Sequence, residues 1–450
     1  MYKYEILAQL NKLKGKDKNR LHMPGHKNLG DFKSHFPVAS MDLTELDITD
    51  DLHCPSGAIK KAEADIAEIL GAKKAYITTD GSTSGVMAMM YVLAGYGNKV
   101  IVPRNSHKSV FNACRLFNLE PVIVQGAEAD GVLQHPSHEL IETLIVNDVN
   151  IAGMLVTSPD YYGNLAPLKE YAEVLKKYDR ILVVDGAHGS HLALNEGRVG
   201  YAGVYADMWV DGVHKSLPTL TQGAVVCVND EKLLPRAKDA MGIFRTTSPS
   251  FPVMASVEYG VKYYVNNPKL FTRTLTALQE VKSALGAAGI TFYPTPDWTK
   301  LLVDFKPLGI SPYFAEDMIK KKGIYPEFND GRYILFYLSP SVDPAHLNEF
   351  KNVLLAVCAQ KKLVNTYRDV PPIPVADRTY SFLYAYRRKW EWVPLNDAVG
   401  RMCADNAGIS PPCLPVLIAG EMISKEAVEL LKEAKGTFGI SDGKVKVVKK

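Results

Sequence analysis

Two short apolar stretches of this sequence run directly into residues with reactive side chains. Val183-Val184-Asp185-Gly186-Ala187-His188-Gly189 places a carboxylate at the end of an apolar segment. Met208-Trp209-Val210 then leads into Asp211-Gly212-Val213-His214-Lys215-Ser216 and supplies an amine. In a parallel sheet, ligand-binding groups collect beyond the carboxyl ends of the strands. An acid after one strand and a lysine after a neighbour suit pyridoxal phosphate, with the lysine forming a Schiff base and the acid pairing with the protonated pyridine nitrogen.

A third segment, Thr78-Thr79-Asp80-Gly81-Ser82-Thr83-Ser84-Gly85, lies between an apolar strand and an apolar helix. Backbone N–H groups and hydroxyls at a helix N-terminus form a site for phosphate. His107, in Pro103-Arg104-Asn105-Ser106-His107-Lys108, follows the next strand and has the shape to stack on a planar ring. Each signal alone has a bland reading: a common strand-end acid, a solvated lysine, a plain turn. The Asp185-Gly186-Ala187-His188 run also has the look of a helicase box, but the GxxxxGK[ST] phosphate loop that such enzymes need is absent. His188/His191 and His22/His26 lack cysteine or carboxylate partners at familiar metal-site spacing, so no metal is expected.

The elements that must position these residues alternate between helical and strand periods. The spacing predicts a short N-terminal helix over residues 4–14, a helix Ile59–Leu70 closed by Gly71, strand Ala75–Thr78 and helix Val86–Leu93. Strand Lys99–Val102, helix Val110–Leu116 and strand Pro121–Gln125 follow, then buried strands Ile151–Val156, Ile181–Val184, Met208–Val210 and Ala224–Val228. This alternation predicts an α/β fold with a mostly parallel sheet covered on both faces. From about residue 263 the pattern becomes α+β, with helices Thr272–Ala288, Tyr313–Lys321 and Pro344–Ala359 and strands Leu301–Asp304 and Tyr333–Tyr337. Pro371-Pro372-Ile373-Pro374 reads as a linker. Four parts are expected: an arm over 1–40, a cofactor-binding large domain over 41–262, a small α+β domain over 263–372 and a C-terminal domain over 373–450.

Composition narrows the function classes. The 450 residues are 47% hydrophobic and 22% charged, with 33 glycines and 27 prolines, ordinary for globular domains. Fifty-two basic against 49 acidic residues give a net charge of +3, too even for a nucleic-acid binder. No apolar run approaches membrane-spanning length, and the N-terminus has no secretory or transit pattern. Six scattered cysteines without CxxC spacing fit reduced thiols, so a cytoplasmic protein is expected.

In order, His22-Met23-Pro24-Gly25-His26-Lys27, Asp47-Ile48-Thr49, Gly81-Ser82-Thr83, Ser106-His107-Lys108, Asp185-Gly186-Ala187-His188-Gly189, His214-Lys215 and Thr246-Thr247-Ser248-Pro249-Ser250 resemble one family. It is the bacterial ornithine/lysine/arginine decarboxylase family of pyridoxal-phosphate enzymes, in its short form. Val393-Pro394-Leu395, Ala398-Val399-Gly400-Arg401 and Pro411-Pro412 resemble that family's C-terminal domain. The resemblance implies an aspartate-aminotransferase-type fold with a seven-stranded-type sheet and a homodimer with shared sites.

It also implies roles. Lys215 is the Schiff-base lysine and proton carrier, Asp185 holds the ring nitrogen protonated, and Ala187 and His107 lie on the two ring faces. Ser82, Thr83 and Ser84 hold the phosphate with His214, and Thr247 reaches it from the second subunit. His188 belongs to the cofactor-binding set, while residues 22–27 and 411–415 line or close the site. Lys215 must be neutral to react, which burial and a neighbouring charge such as His214 would favour. The sequence departs from the family at Gly212, where many members carry serine, and at Asp160 in Thr157-Ser158-Pro159-Asp160-Tyr161. Asp160, Glu421 or a residue of the other subunit would bind the distal cation of a basic substrate. Arg245 and Arg332 read as surface charges and not as a carboxylate clamp. Carbon dioxide plus a diamine or agmatine is the expected outcome; an aminotransferase or lyase on the same fold and a catalytically silent homologue are the alternatives.

Overall fold

The computed structural model describes residues 1–14, 20–360, 373–374, 380–410 and 414–449. Pro371, Pro372 and the Pro411–Cys413 segment lie outside the described residues. Helix α1 (Glu5–Leu13) turns Ile6 and Leu10 into the main core. Its first amides donate to the buried Glu258 carboxylate, from Glu5 N at 2.5 Å and Ile6 N at 2.9 Å. An acid at a helix N-terminus satisfies orphan donors and complements the helix dipole.

Helix α2 (Ala58–Leu70) ends at Gly71, whose φ of 75° is the left-handed conformation that glycine adopts without penalty. There follow β1 (Lys74–Thr78), α3 (Gly81–Leu93), β2 (Lys99–Pro103), α4 (Lys108–Phe117), β3 (Glu120–Val124), β4 (Ile151–Thr157) and α5 (Leu168–Lys177). Next come β5 (Ile181–Gly186), β6 (Met208–Asp211), the single turn α6 (Val213–Ser216), β7 (Ala224–Val228), α7 (Leu234–Phe244) and α8 (Phe251–Asn266). The seven strands form one sheet in the order β1-β7-β6-β5-β4-β2-β3. Pairs β2–β3, β2–β4, β4–β5 and β5–β6 are parallel. Only β7 is reversed, antiparallel to both β1 and β6. The mostly parallel α/β sheet expected from the sequence is therefore present.

Every residue of β4, β5, β6 and β7 is buried, because helices cover both faces. One face packs on a core running from Ile6 to Phe271, the other on α3, α4 and α7. The parallel arrangement brings the carboxyl ends of β1, β2, β4, β5 and β6 to one edge, the end where the candidate residues sit.

Beyond α8 the chain enters helix α9 (Pro268–Ala287), which begins four residues earlier than the apolar period suggests. Proline at its first position fixes φ and lacks only an amide that would be unpaired anyway. Strands β8 (Thr291–Phe292), β9 (Lys300–Asp304), β10 (Phe328–Asn329) and β11 (Tyr333–Tyr337) form an antiparallel sheet in the order β8-β9-β11-β10. This unit has its own core around Leu278, Val303 and Leu354. Residues 395–447 gather another around Val416 and Leu431. Among the described residues no helix is long and apolar enough to cross a membrane.

Candidate active site

A cavity of about 330 Å³ opens at the carboxyl edge of the large sheet. Lys215, Asp185, Ala187, His188, His107 and His214 all line it. Ser82 and Thr83 complete one end. Sequence positions spread over 134 residues thus meet in one place because five strands deliver their ends there.

Lys215 stands on α6, the single turn after β6. Asp211, the last residue of β6, anchors that turn by accepting from Tyr201 Oη at 2.7 Å and Trp209 Nε1 at 3.0 Å. Burial raises the Asp211 carboxyl to about 7, while those two donors pull it back. Lys215 Nζ lies 2.9 Å from His188 Nε2. His188 is buried against the rings of Tyr161 and Tyr337, and burial first, then the charges of Lys215 and Lys300, hold its imidazole well below its ordinary value. A neutral imidazole can accept a hydrogen bond from the amine or donate one to it.

Asp185, next to last in β5, is buried, with Oδ1 accepting from Ala187 N at 3.2 Å. Desolvation pushes its carboxyl up, and Lys215 offsets part of that. A cation placed against this carboxylate relieves the burial penalty.

His107 caps the N-terminus of α4. Its Nδ1 accepts from Ser109 N at 3.2 Å and lies 2.9 Å from Ser109 Oγ. An Nδ1 that accepts a backbone amide proton carries none of its own, so the ring is the neutral Nε2–H form. Burial, with Lys215 and Lys108 nearby, lowers His107 to about 4. His214 points Nδ1 at Gly223 O, 2.9 Å away, and burial lowers its affinity for a proton. His214 therefore brings no positive charge toward Lys215, contrary to the sequence expectation.

At the phosphate end, α3 begins with no side-chain cap on its first-turn amides. Ser82 Oγ is buried and without a hydrogen-bond partner. Buried hydroxyls are almost always paired, so an orphan facing a cavity marks a place for an acceptor-rich ligand. Thr157 Oγ1, at the end of β4, is a second such orphan. A Cβ at Gly212 would stand 2.4 Å from Ala187 O and 2.7 Å from Ser82 Oγ. The missing side chain at 212 is thus what lets the turn carrying Lys215 approach Ser82 and Ala187. Pyridoxal phosphate fits this donor set: hydroxyls and helix amides at one end, a buried carboxylate at the other, a lysine amine between.

Ser84 is placed differently. Its hydroxyl is buried against Thr78 Oγ1 at 2.9 Å and Gly81 O at 2.9 Å, away from the cavity lining. Thr247 is exposed on the segment whose Thr246 N donates to Asp80 Oδ2 at 3.2 Å. Asp80, Asn105 and Tyr161 line the cavity without having been singled out as site residues. Asp80 was legible only as the residue before the Gly/Ser turn.

Residues 22–27 do not line the cavity; His26 Nε2 pairs with Asp42 Oδ2 at 3.2 Å. Arg245 is buried, 3.6 Å from Glu63, and is not the surface charge that the sequence suggested. Arg332 is half-buried, 3.9 Å from Asp130. Neither arginine lines the cavity. Glu421 is bound on both oxygens by Arg104, at 2.5 and 2.9 Å. Asp160 is buried beside Tyr161, its Oδ1 accepting from Tyr162 N and Asn164 N and its Oδ2 from Asn164 Nδ2. It lines a smaller cavity that shares Asn105 and Tyr161 with the first.

Known proteins resemble this chain over most of its length. The chain is 29% identical to the uncharacterized protein YaaO of Bacillus subtilis over 440 residues, 92% of this chain and 91% of the relative. It is 28% identical to an arginine decarboxylase of Halalkalibacterium halodurans over 446 residues, covering 92% and 90% of the two chains. The constitutive lysine decarboxylase of E. coli superposes with a TM-score of 0.78 at 18% identity, over 99% of this chain and 82% of that one, a likeness of fold. The profile of the Orn/Lys/Arg decarboxylase major domain matches residues 6–295, and the chain belongs to that family.

Proposed function

We propose that this protein is a pyridoxal-phosphate-dependent decarboxylase of a basic amino acid, releasing carbon dioxide and a diamine or agmatine. The observation that carries the reading is the meeting of the Lys215 amine, the buried Asp185 carboxylate and the orphan Ser82 hydroxyl in one cavity. When bound, the cofactor supplies an electron sink for the pair left as the Cα–carboxylate bond breaks.

The chain's own residues do the rest. Ser82 and Thr83, the α3 amides and His214 would hold the phosphate. Asp185 would keep a proton on the ring nitrogen by its negative charge. The neutral His107 and Ala187, both lining the cavity, would flank the ring. Lys215 Nζ would be the amine that holds the cofactor and the group that returns a proton to Cα, with His188 Nε2 orienting that amine from 2.9 Å. Tyr161 and Val86 in the cavity wall would limit water at the substrate carboxylate, which favours its loss.

Transamination must preserve the α-carboxylate and usually grips it with a bidentate arginine. Among the described residues that line the cavity none is arginine, which supports decarboxylation. The smaller cavity shares Asn105 and Tyr161 with the first, and Asp160 and Glu128 there suit a distal cation. We assign the protein to the cytoplasm and to a homodimer in which Thr247 of the partner subunit completes the phosphate site. Borohydride reduction followed by peptide mapping tests the assignment. The cofactor mass is expected on the peptide holding Lys215, and a label on another lysine would overturn it.

A further inference from the structure

The small α+β unit contributes one ion pair to the wall behind Lys215. Asp297 and Lys300, at the entry to β9, are both fully buried, with Lys300 Nζ 3.2 Å from Asp297 Oδ2. Removing both charges from water is costly, so a pair placed here needs further partners. Asp297 has them: its Oδ1 accepts from His191 Nε2 at 2.9 Å, Thr299 N at 2.9 Å and Thr299 Oγ1 at 2.7 Å. Burial opposes its ionisation, but Lys300, His191 and Thr299 together hold the carboxyl below its usual range.

Lys300 faces the other way. Its ammonium sits 3.7 Å from the centre of the Tyr337 ring, a cation–π contact. The Tyr337 ring lies 5.5 Å from that of His188, and His188 Nε2 is 2.9 Å from Lys215 Nζ. The pair is thus a fixed dipole, with its negative end tied to His191 and its positive end aimed through Tyr337 and His188 at Lys215. The other charged or titratable groups facing Lys215 include Asp185, His107, His188, the adjacent His214 and Tyr161, whose ring centre is 5.9 Å from Nζ, and Asp160 stands on the Lys300 side. The histidines are neutral, and in the cofactor-free protein the Asp185 charge favours the protonated amine and so opposes Lys300.

We infer that Lys300 is a positioning residue: with Asp297 it holds a positive charge behind the His188–Lys215 pair and lowers the proton affinity of the Lys215 amine. Its catalytic meaning rests on Lys215 being the cofactor lysine; the electrostatic effect belongs to the protein alone. A nearby cation is an established way to lower the proton affinity of a nucleophilic lysine.

The test is trace acetylation of the full-length, cofactor-free protein with acetic anhydride across a pH series, with peptides resolved by mass spectrometry. The wild-type Lys215 midpoint is expected below the ordinary lysine value of about 10.4. Lys300→Met and Lys300→Gln should raise it by roughly half a unit to one unit, a threefold to tenfold slowing of labelling at neutral pH. Lys300→Arg should leave it near wild type. Glutamine still donates to Asp297, which keeps the buried acid satisfied if the methionine variant fails to fold. A merely structural lysine would change the melting temperature and leave the midpoint in place. An ordinary wild-type midpoint, or one unmoved in either neutral variant, would overturn the inference. Borohydride label on another lysine would sink the cofactor assignment without moving this midpoint.

Discussion

The burial of Asp185 makes its charge, not its hydrogen-bonding shape, the property to test. Asp185→Asn keeps size and the bond from Ala187 N but cannot hold a proton on the ring nitrogen. We expect cofactor to remain bound, with turnover reduced by at least about a hundredfold. Turnover within twofold of wild type would show that the negative charge is not needed. His107 gives a pH signature. Its folded value of about 4 lies below the unfolded value of about 6.5. Between those values the unfolded chain holds the extra proton, so stability falls as pH drops through that window and is unaffected above it. The loss attributable to His107 is at most about 3 kcal/mol. Melting of the cofactor-free protein from pH 7 to 4 should be flatter for His107→Gln than for wild type, and parallel curves would contradict the assignment. The chemistry-bearing residues were readable because each follows a strand in sequence. The contacts that tune them were not: Lys300 reaches His188 across more than a hundred residues through Tyr337, and no local period records such a contact. Arg245 was misread for the same reason, since its burial is set by Glu63 on a distant helix.

Strands and turns carry the geometry, and here Gly212 is decisive. A family pattern with serine at this position suggests that Gly212→Ser would add a phosphate donor. The packing says otherwise, because a Cβ would meet Ala187 O at 2.4 Å and Ser82 Oγ at 2.7 Å. Backbone cannot move aside cheaply. Gly212→Ser should weaken cofactor binding about tenfold or more and lower the melting temperature; tighter binding, measured by fluorescence titration, would refute this. Strand–helix alternation was enough to read the sheet, because a residue period survives any tertiary context. The start of α9 and the cap of α4 by His107 were missed because both depend on end chemistry. Proline at the first position of α9 and a histidine ring accepting Ser109 N leave no periodic trace.

Across the whole molecule, the C-terminal core is joined to the large sheet beside His107. Arg104, directly after β2, binds Glu421 on both oxygens and also donates to Val416 O at 2.8 Å. Breaking one side of a buried pair costs about 3–5 kcal/mol. Glu421→Gln should therefore destabilise the protein by that order in denaturant unfolding and lower cofactor affinity through the His107 loop. A change under about 0.5 kcal/mol would make the pair incidental. Assembly is tested by mixing Lys215→Ala with Thr247→Ala protein. Exchange of subunits should restore one complete site per heterodimer, and no recovery would argue against a shared site. The central claim is the reaction. Purified protein with added pyridoxal phosphate is to be given arginine, lysine and ornithine, each labelled in the carboxyl carbon. Labelled carbon dioxide in step with a diamine or agmatine, from at least one substrate and lost in Lys215→Ala, is the predicted result. Stoichiometric keto acid and pyridoxamine phosphate, with no labelled gas from any of the three, would contradict it.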